Sequence, residues 1–158
     1  MIREMLGIAE GILQDLHNDH TEVDSLMDSI FGSDDAGERR ARFHEMSSKL
    51  LAHAHAEQEI LYERMKTSAD EDSRRFAMEG ESEHLLVEKQ IQKIRAMGEP
   101  TGDAWSAELK VLKDLVEHHV KEEESDGFEC AREEFDKEQL EQMGREFQDR
   151  KRALKAAA

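Results

Sequence analysis

Along this chain of 158 residues, apolar positions return every three or four residues, which places them on one side of a helix. Four long segments carry the pattern. The first runs from about Met5 to Phe31 and stops at Gly32-Ser33-Asp34-Asp35-Ala36-Gly37. The second spans about Glu38 to Met65, and the third roughly Ser73 to Met97, closed by Gly98-Glu99-Pro100-Thr101-Gly102-Asp103. The fourth begins near Ala104 and is expected to break at Ser125-Asp126-Gly127. Beyond it, Phe135, Leu140, Met143 and Phe147 stand at helical spacing and predict a C-terminal helix, with a loose polar tail after Arg150. Short connections between long helices favour antiparallel neighbours. The expected fold is all-α: an up-down-up-down four-helix bundle over residues 1–130, with a C-terminal helix and tail over 131–158.

Composition supports this and narrows the partners. Hydrophobic residues make up 37% and charged residues 38%, while a single Pro and 5% aromatics leave little from which to build sheets. The net charge of −16 disfavours nucleic acid and anionic membranes, both of which attract basic faces. A cation suits it better, although acidity alone is usually a solubilising surface. The lone Cys130 has no partner for an internal disulfide, no apolar run reaches the length of a membrane span, and charged residues interrupt the first sixteen positions. A cytoplasmic location is expected.

Helical rotation of about 100° per residue then sorts the eight histidines. His20 lies in the middle of the stripe formed by Leu6, Ala9, Leu13, Leu16, Val23, Met27 and Phe31, and His17 lies at its edge. In the second helix His53 shares a face with Phe43, Met46, Leu50, Ile60 and Leu61, and Glu57 follows it at i+4. His55 and Glu59 point the other way, as a solvated pair, and so does His44. In the fourth helix His119 and Glu123 fall in the stripe of Trp105, Leu109, Leu112, Leu115 and Val116, while His118 turns to the polar side. His84 lies near the edge of the third stripe, with Glu81 and Glu88 as its nearest carboxylates. The small Ala77 and Gly80 there leave room for a bulky neighbour.

Burying an isolated carboxylate costs several kcal/mol, and no inward Lys or Arg is evident on the first, second or fourth helix. A bound cation compensates Glu57 and Glu123 most simply; a hydrogen-bonded core with protonated carboxyls is the bland alternative. Imidazole and carboxylate without thiolate suit iron, manganese or zinc. Six donors exceed what one structural zinc takes, and paired His-x-x-x-Glu motifs suit a carboxylate-bridged dinuclear centre.

The same residues resemble the hemerythrin-like (HHE) family. Leu16-His17-Asn18-Asp19-His20 is similar to its first-helix motif and His53-Ala54-His55-Ala56-Glu57, with the aromatic Tyr62 beyond, to its second. Glu83-His84 is similar to the third, and His119-Val120-Lys121-Glu122-Glu123-Glu124 with Phe128 to the fourth. The resemblance implies His20, His53, His84 and His119 as ligands of two iron ions bridged by Glu57 and Glu123. Oxygen-carrying members have a further His where this chain has Glu88, and take their fourth-helix carboxylate from the position of Glu124. Glu88 is therefore a candidate extra ligand, or the coordination position is open, and either weakens the case for reversible oxygen carriage. The implied partner is a small ligand such as oxygen, nitric oxide or peroxide. Simple binding, peroxide-decomposing or oxidase-type turnover, and iron storage or sensing all remain open, as does the oligomeric state.

Overall fold

A computed structural model describes residues 10–157; the predicted start near Met5 and the stripe positions Leu6 and Ala9 lie outside the described residues. Helix α1 is Gly11–Phe31 and α2 is Ala36–Glu57, which continues through a π-helical turn, Gln58–Tyr62, into a last turn, Glu63–Met65. Helix α3 is Glu71–Arg95. Helix α4, Asp103–Glu122, continues through a second π-helical turn, Glu123–Gly127, into Phe128–Glu134. Helix α5 is Lys137–Ala157. No strand occurs among the described residues, and the fold is a helical bundle with an additional C-terminal helix.

Local chemistry sets the boundaries. Asp35 accepts a hydrogen bond from the Glu38 amide and Asp70 one from the Ser73 amide, satisfying amides that a helix start leaves unpaired. At α5 the capping is reciprocal: the Gln139 amide donates to Asp136 and the Asp136 amide to Gln139, both at 2.8 Å. That capping box, after extended Phe135, is where the chain breaks. The break expected at Ser125-Asp126-Gly127 is therefore corrected. Gly127 stays within the helical run; glycine stands there because the Phe76 ring packs on it, and a Cβ would meet the ring at 2.3 Å. The tail expected to be loose after Arg150 is helical to Ala157, and Leu154 packs partly against the core.

Apolar side chains gather in two clusters. One joins Leu13, Leu16, Leu61, Tyr62, Met65 and Phe128 to Leu140, Met143 and Phe147 of α5. The other joins Val23, Met27, Phe43, Met46, Ile91, Trp105 and Leu109. Between them fall the buried polar residues His20, His53, Glu57, His84, His119 and Glu123, contributed by all four bundle helices. One buried cation on α2 escaped the periodicity argument. Arg39 donates to the carbonyls of Ile30, Ser33 and Pro100 and to Ser106 Oγ. It holds helix ends and their connections together about 21 Å from His53, at 1.5 Å rise per residue, too far to compensate the buried carboxylates.

Candidate metal centre

Each bundle helix sends one histidine into the polar layer, and α2 and α4 each add a glutamate one turn on. Two groups result: His20, His53 and Glu123, and Glu57, His84 and His119, with donor atoms in each group all within 4.8 Å of one another. All six residues are buried. Each carboxylate also faces both groups. Glu57 Oε1 lies 3.7 Å from His53 Nε2 and 3.2 Å from His84 Nε2. Glu123 lies 3.1 Å from His20 Nε2 through Oε1 and 3.7 Å from His119 Nε2 through Oε2.

The outward nitrogens form a closed ring of hydrogen bonds. Asp19 of α1 accepts from His53 of α2 at 2.9 Å, and Gln58, next along from α2, accepts from His84 of α3 at 2.9 Å. Glu83 of α3 accepts from His119 of α4 at 2.7 Å, and Glu124, beyond α4, accepts from His20 of α1 at 2.6 Å. Every acceptor sits next in sequence to an inward site residue and serves the following helix. With Nδ1 donating outward, each Nε2 presents its lone pair to the interior, the arrangement that orients imidazole as a metal ligand.

Several of the inward atoms then lack a partner. His20 Nε2, His53 Nε2, Glu123 Oε1 and both Glu57 oxygens are buried with no hydrogen bond, a costly state for carboxylates and lone pairs in an apolar core. His84 Nε2 and His119 Nε2 approach to 3.0 Å, two lone pairs face to face. Cations seated among these atoms satisfy them all, so the residues fit a metal site.

The charges without metal show the same need. Burial, and then the charge of Glu123, push the Glu57 carboxyl well above the usual range. Glu123, against the penalty of burial, is held well below it by the neighbouring Glu57 carboxyl and by His20 and His119. Burial opposes a charge on His20, but its contacts with Glu123 and Glu124 raise its pKa to about 9, so without metal its ring holds a proton that a bound cation would displace. Burial and then His119 push His84 well down.

Tyr62 closes one wall. Its hydroxyl donates to Glu123 Oε2 at 2.5 Å, and its ring stacks on His84 with centroids 5.3 Å apart. The room left by Gly80 is filled by this ring, which a Cβ there would meet at 2.6 Å. The π-helical turn brings Tyr62 inward. One extra residue in the turn rotates the side chains after it, so Leu61 and Tyr62 are buried while Ile60, expected in the stripe, is only partly so.

The remaining candidates fall outside both groups. Glu88 stands 3.6 Å from His55, and neither is close to burial. The expected His55/Glu59 pairing is replaced by this contact, because Glu59 pairs with Arg150 of α5. Glu88 as a possible ligand is thus corrected to a surface partner. His118 is exposed beside Glu83, His44 is exposed, and half-exposed His17 lies 2.9 Å from Glu124. Sequence reasoning missed Asp19, Gln58, Glu83 and Glu124 as acceptors; their signal was adjacency to an inward residue.

Fold and site together define a helical-bundle cation-binding protein. A family model described as the hemerythrin HHE cation-binding domain matches residues 9–131. The chain belongs to that family. It is also 31% identical over 134 residues to a protein of Nostoc sp. (strain PCC 7120 / SAG 25.82 / UTEX 2576) described as a DNA nickase. That match covers 82% of this chain and 36% of the relative, so the chain spans little more than a third of its length. No solved structure matches the chain.

Proposed function

We propose that the chain is a non-haem di-iron protein that binds or reacts with a small ligand: oxygen, nitric oxide or hydrogen peroxide. The carrying observation is the pair of three-donor groups sharing two carboxylates, each group with uncompensated buried donor atoms. Six imidazole and carboxylate donors without thiolate favour iron over softer metals, with manganese and zinc as the nearest competitors. Bound iron supplies redox chemistry and a coordination position for a small ligand. The chain's own contribution is to orient four Nε2 atoms, to offset charge through Glu57 and Glu123, and to exclude water with apolar clusters on both sides. Tyr62, donating to Glu123, puts a protic side chain beside the donors. A groove between α1 and α4, walled by Val23, Met27, Val116 and Val120, reaches His20 and gives a small apolar molecule a way in.

Metal quantification with an optical spectrum after anaerobic loading with ferrous iron tests this. Two irons per chain, and on oxidation the near-ultraviolet bands of a bridged ferric pair, are expected; less than about one ion per chain, set against six donors, would sink the metal reading. Steady oxygen evolution from peroxide would assign turnover. A large loss of thermal stability on chelation without turnover would assign iron storage or sensing. A net charge of −16 opposes binding to a phosphate backbone, so the proposed function includes neither the nickase activity named for the Nostoc relative nor nucleic acid or a membrane as partner. No helix among the described residues is long and apolar enough to cross a membrane, and a cytoplasmic site of action fits the free Cys130.

A further inference from the structure

Helix α5 lies beyond residue 131, where the family match ends, yet it reaches the metal site. Lys151 Nζ donates to both carboxylate oxygens of Asp19, at 2.7 and 2.8 Å. Asp19 in turn accepts from His53 Nδ1. Four residues before Lys151, the fully buried Phe147 sets its ring perpendicular to the His53 imidazole, with centroids 5.7 Å apart. The Lys151 ammonium also lies 5.0 Å from the centre of the Phe147 ring. Lys151 and Asp19 are only 17% and 14% exposed, so water screens this contact weakly. Like Asp19, the acceptors of the other three histidines belong to the bundle, but among the described residues no Lys pairs with them.

We propose that α5 is a positioning element of the metal centre: Lys151 clamps Asp19, Asp19 and Phe147 set the ring of His53, and cation retention by the His20/His53/Glu123 group is coupled to the docking of α5. This rests on the metal-centre reading above. Lys151 touches no cation; it acts through Asp19. A carboxylate free to rotate orients an imidazole poorly, and loss of such outer contacts typically costs about 10–100-fold in metal affinity. Linkage makes the coupling reciprocal, so a cation beside His53 tightens the seat of α5.

The test uses the full chain loaded anaerobically with ferrous iron. Lys151→Met keeps the stem over Phe147 and the helix propensity while removing the charge; Lys151→Arg restores a cation. Arg150→Met is the control, since Arg150 pairs with Glu59 at the surface. Iron release to an excess of a coloured ferrous chelator is followed in time. In Lys151→Met one of the two ions is expected to leave about 10–100-fold faster and the other unchanged, with Lys151→Arg recovering most of the loss and Arg150→Met matching wild type. Amides of α5 are expected to gain hydrogen-exchange protection on loading in wild type, and to lose that gain in Lys151→Met. Equal acceleration of both ions, together with a lower melting temperature of the metal-free variant, would reduce Lys151 to general support and overturn the proposal. Release indistinguishable from wild type would overturn it while leaving the metal centre standing. Wild type that takes up no iron would overturn both.

Discussion

The two donor groups look alike from inside and differ from outside. Behind His20 and His53 stand two carboxylates, Glu124 and Asp19. Behind His119 stands the carboxylate of Glu83, but behind His84 stands only the amide of Gln58. A carboxylate draws on the Nδ1 proton and makes Nε2 a better donor, whereas a neutral amide orients the ring and polarises it less. The group containing His84 is therefore the weaker of the two in donor strength, and it lies against the stacked ring of Tyr62. Symmetric motifs in the sequence thus build two unequal donor groups, and the inequality is written in residues outside both groups.

The largest expected effect comes from removing what the groups share. Glu123→Ala takes a donor from one group and a neighbour from the other, so iron content after anaerobic loading is expected to fall to nearly nothing. His53→Ala touches one group directly, and the same assay is expected to find one ion retained; equal losses in the two variants would mean that the groups are not separate positions. Next, Gln58→Ala leaves His84 Nδ1 without its acceptor. It is expected to weaken the second position about tenfold in a chelator competition, whereas Gln58→Glu is expected to strengthen it and narrow the difference between the groups. Tyr62→Phe removes one hydrogen bond to a buried carboxylate, worth about 1–3 kcal/mol. A melting curve of the metal-free protein checks that, and metal content is expected to persist. At the small end, His55→Ala and His118→Ala are expected to leave metal content unchanged, because both rings face solvent.

Periodicity made the inward donors legible because burial of an ionisable residue on an apolar stripe is rare enough to be informative. His20, His53 and His119 each sat among Leu, Val or Phe at helical spacing, and the structure buries them all. The acceptors were illegible for the opposite reason. Asp19, Glu83 and Glu124 are half-buried residues beside the stripe, of the same types that coat the surface, and only three-dimensional neighbours distinguish them. Constant rotation also failed at the π-helical turns, where an extra residue moved Tyr62 inward at the expense of Ile60. Gly127 misled because glycine marks both a chain break and a close approach, and here the Phe76 ring was the reason. Arg39 escaped notice because its partners are backbone carbonyls from three other segments, which no pattern on α2 reveals.

The ring of outer hydrogen bonds has a consequence for the order in which the molecule assembles. Three of its links join consecutive helices, across 34, 26 and 36 positions of the chain. The fourth, from Glu124 back to His20, spans 104. Loop-closure entropy makes that last link harder to form by about 1 kcal/mol, and contacts of long sequence separation tend to form late. Helix pairs are then expected to associate first, with the fourth link sealing the circle. Until it does, His20 is not aimed, and a nascent or partly folded chain has no complete cradle for a cation. Competence to bind metal becomes a report that the whole bundle has closed.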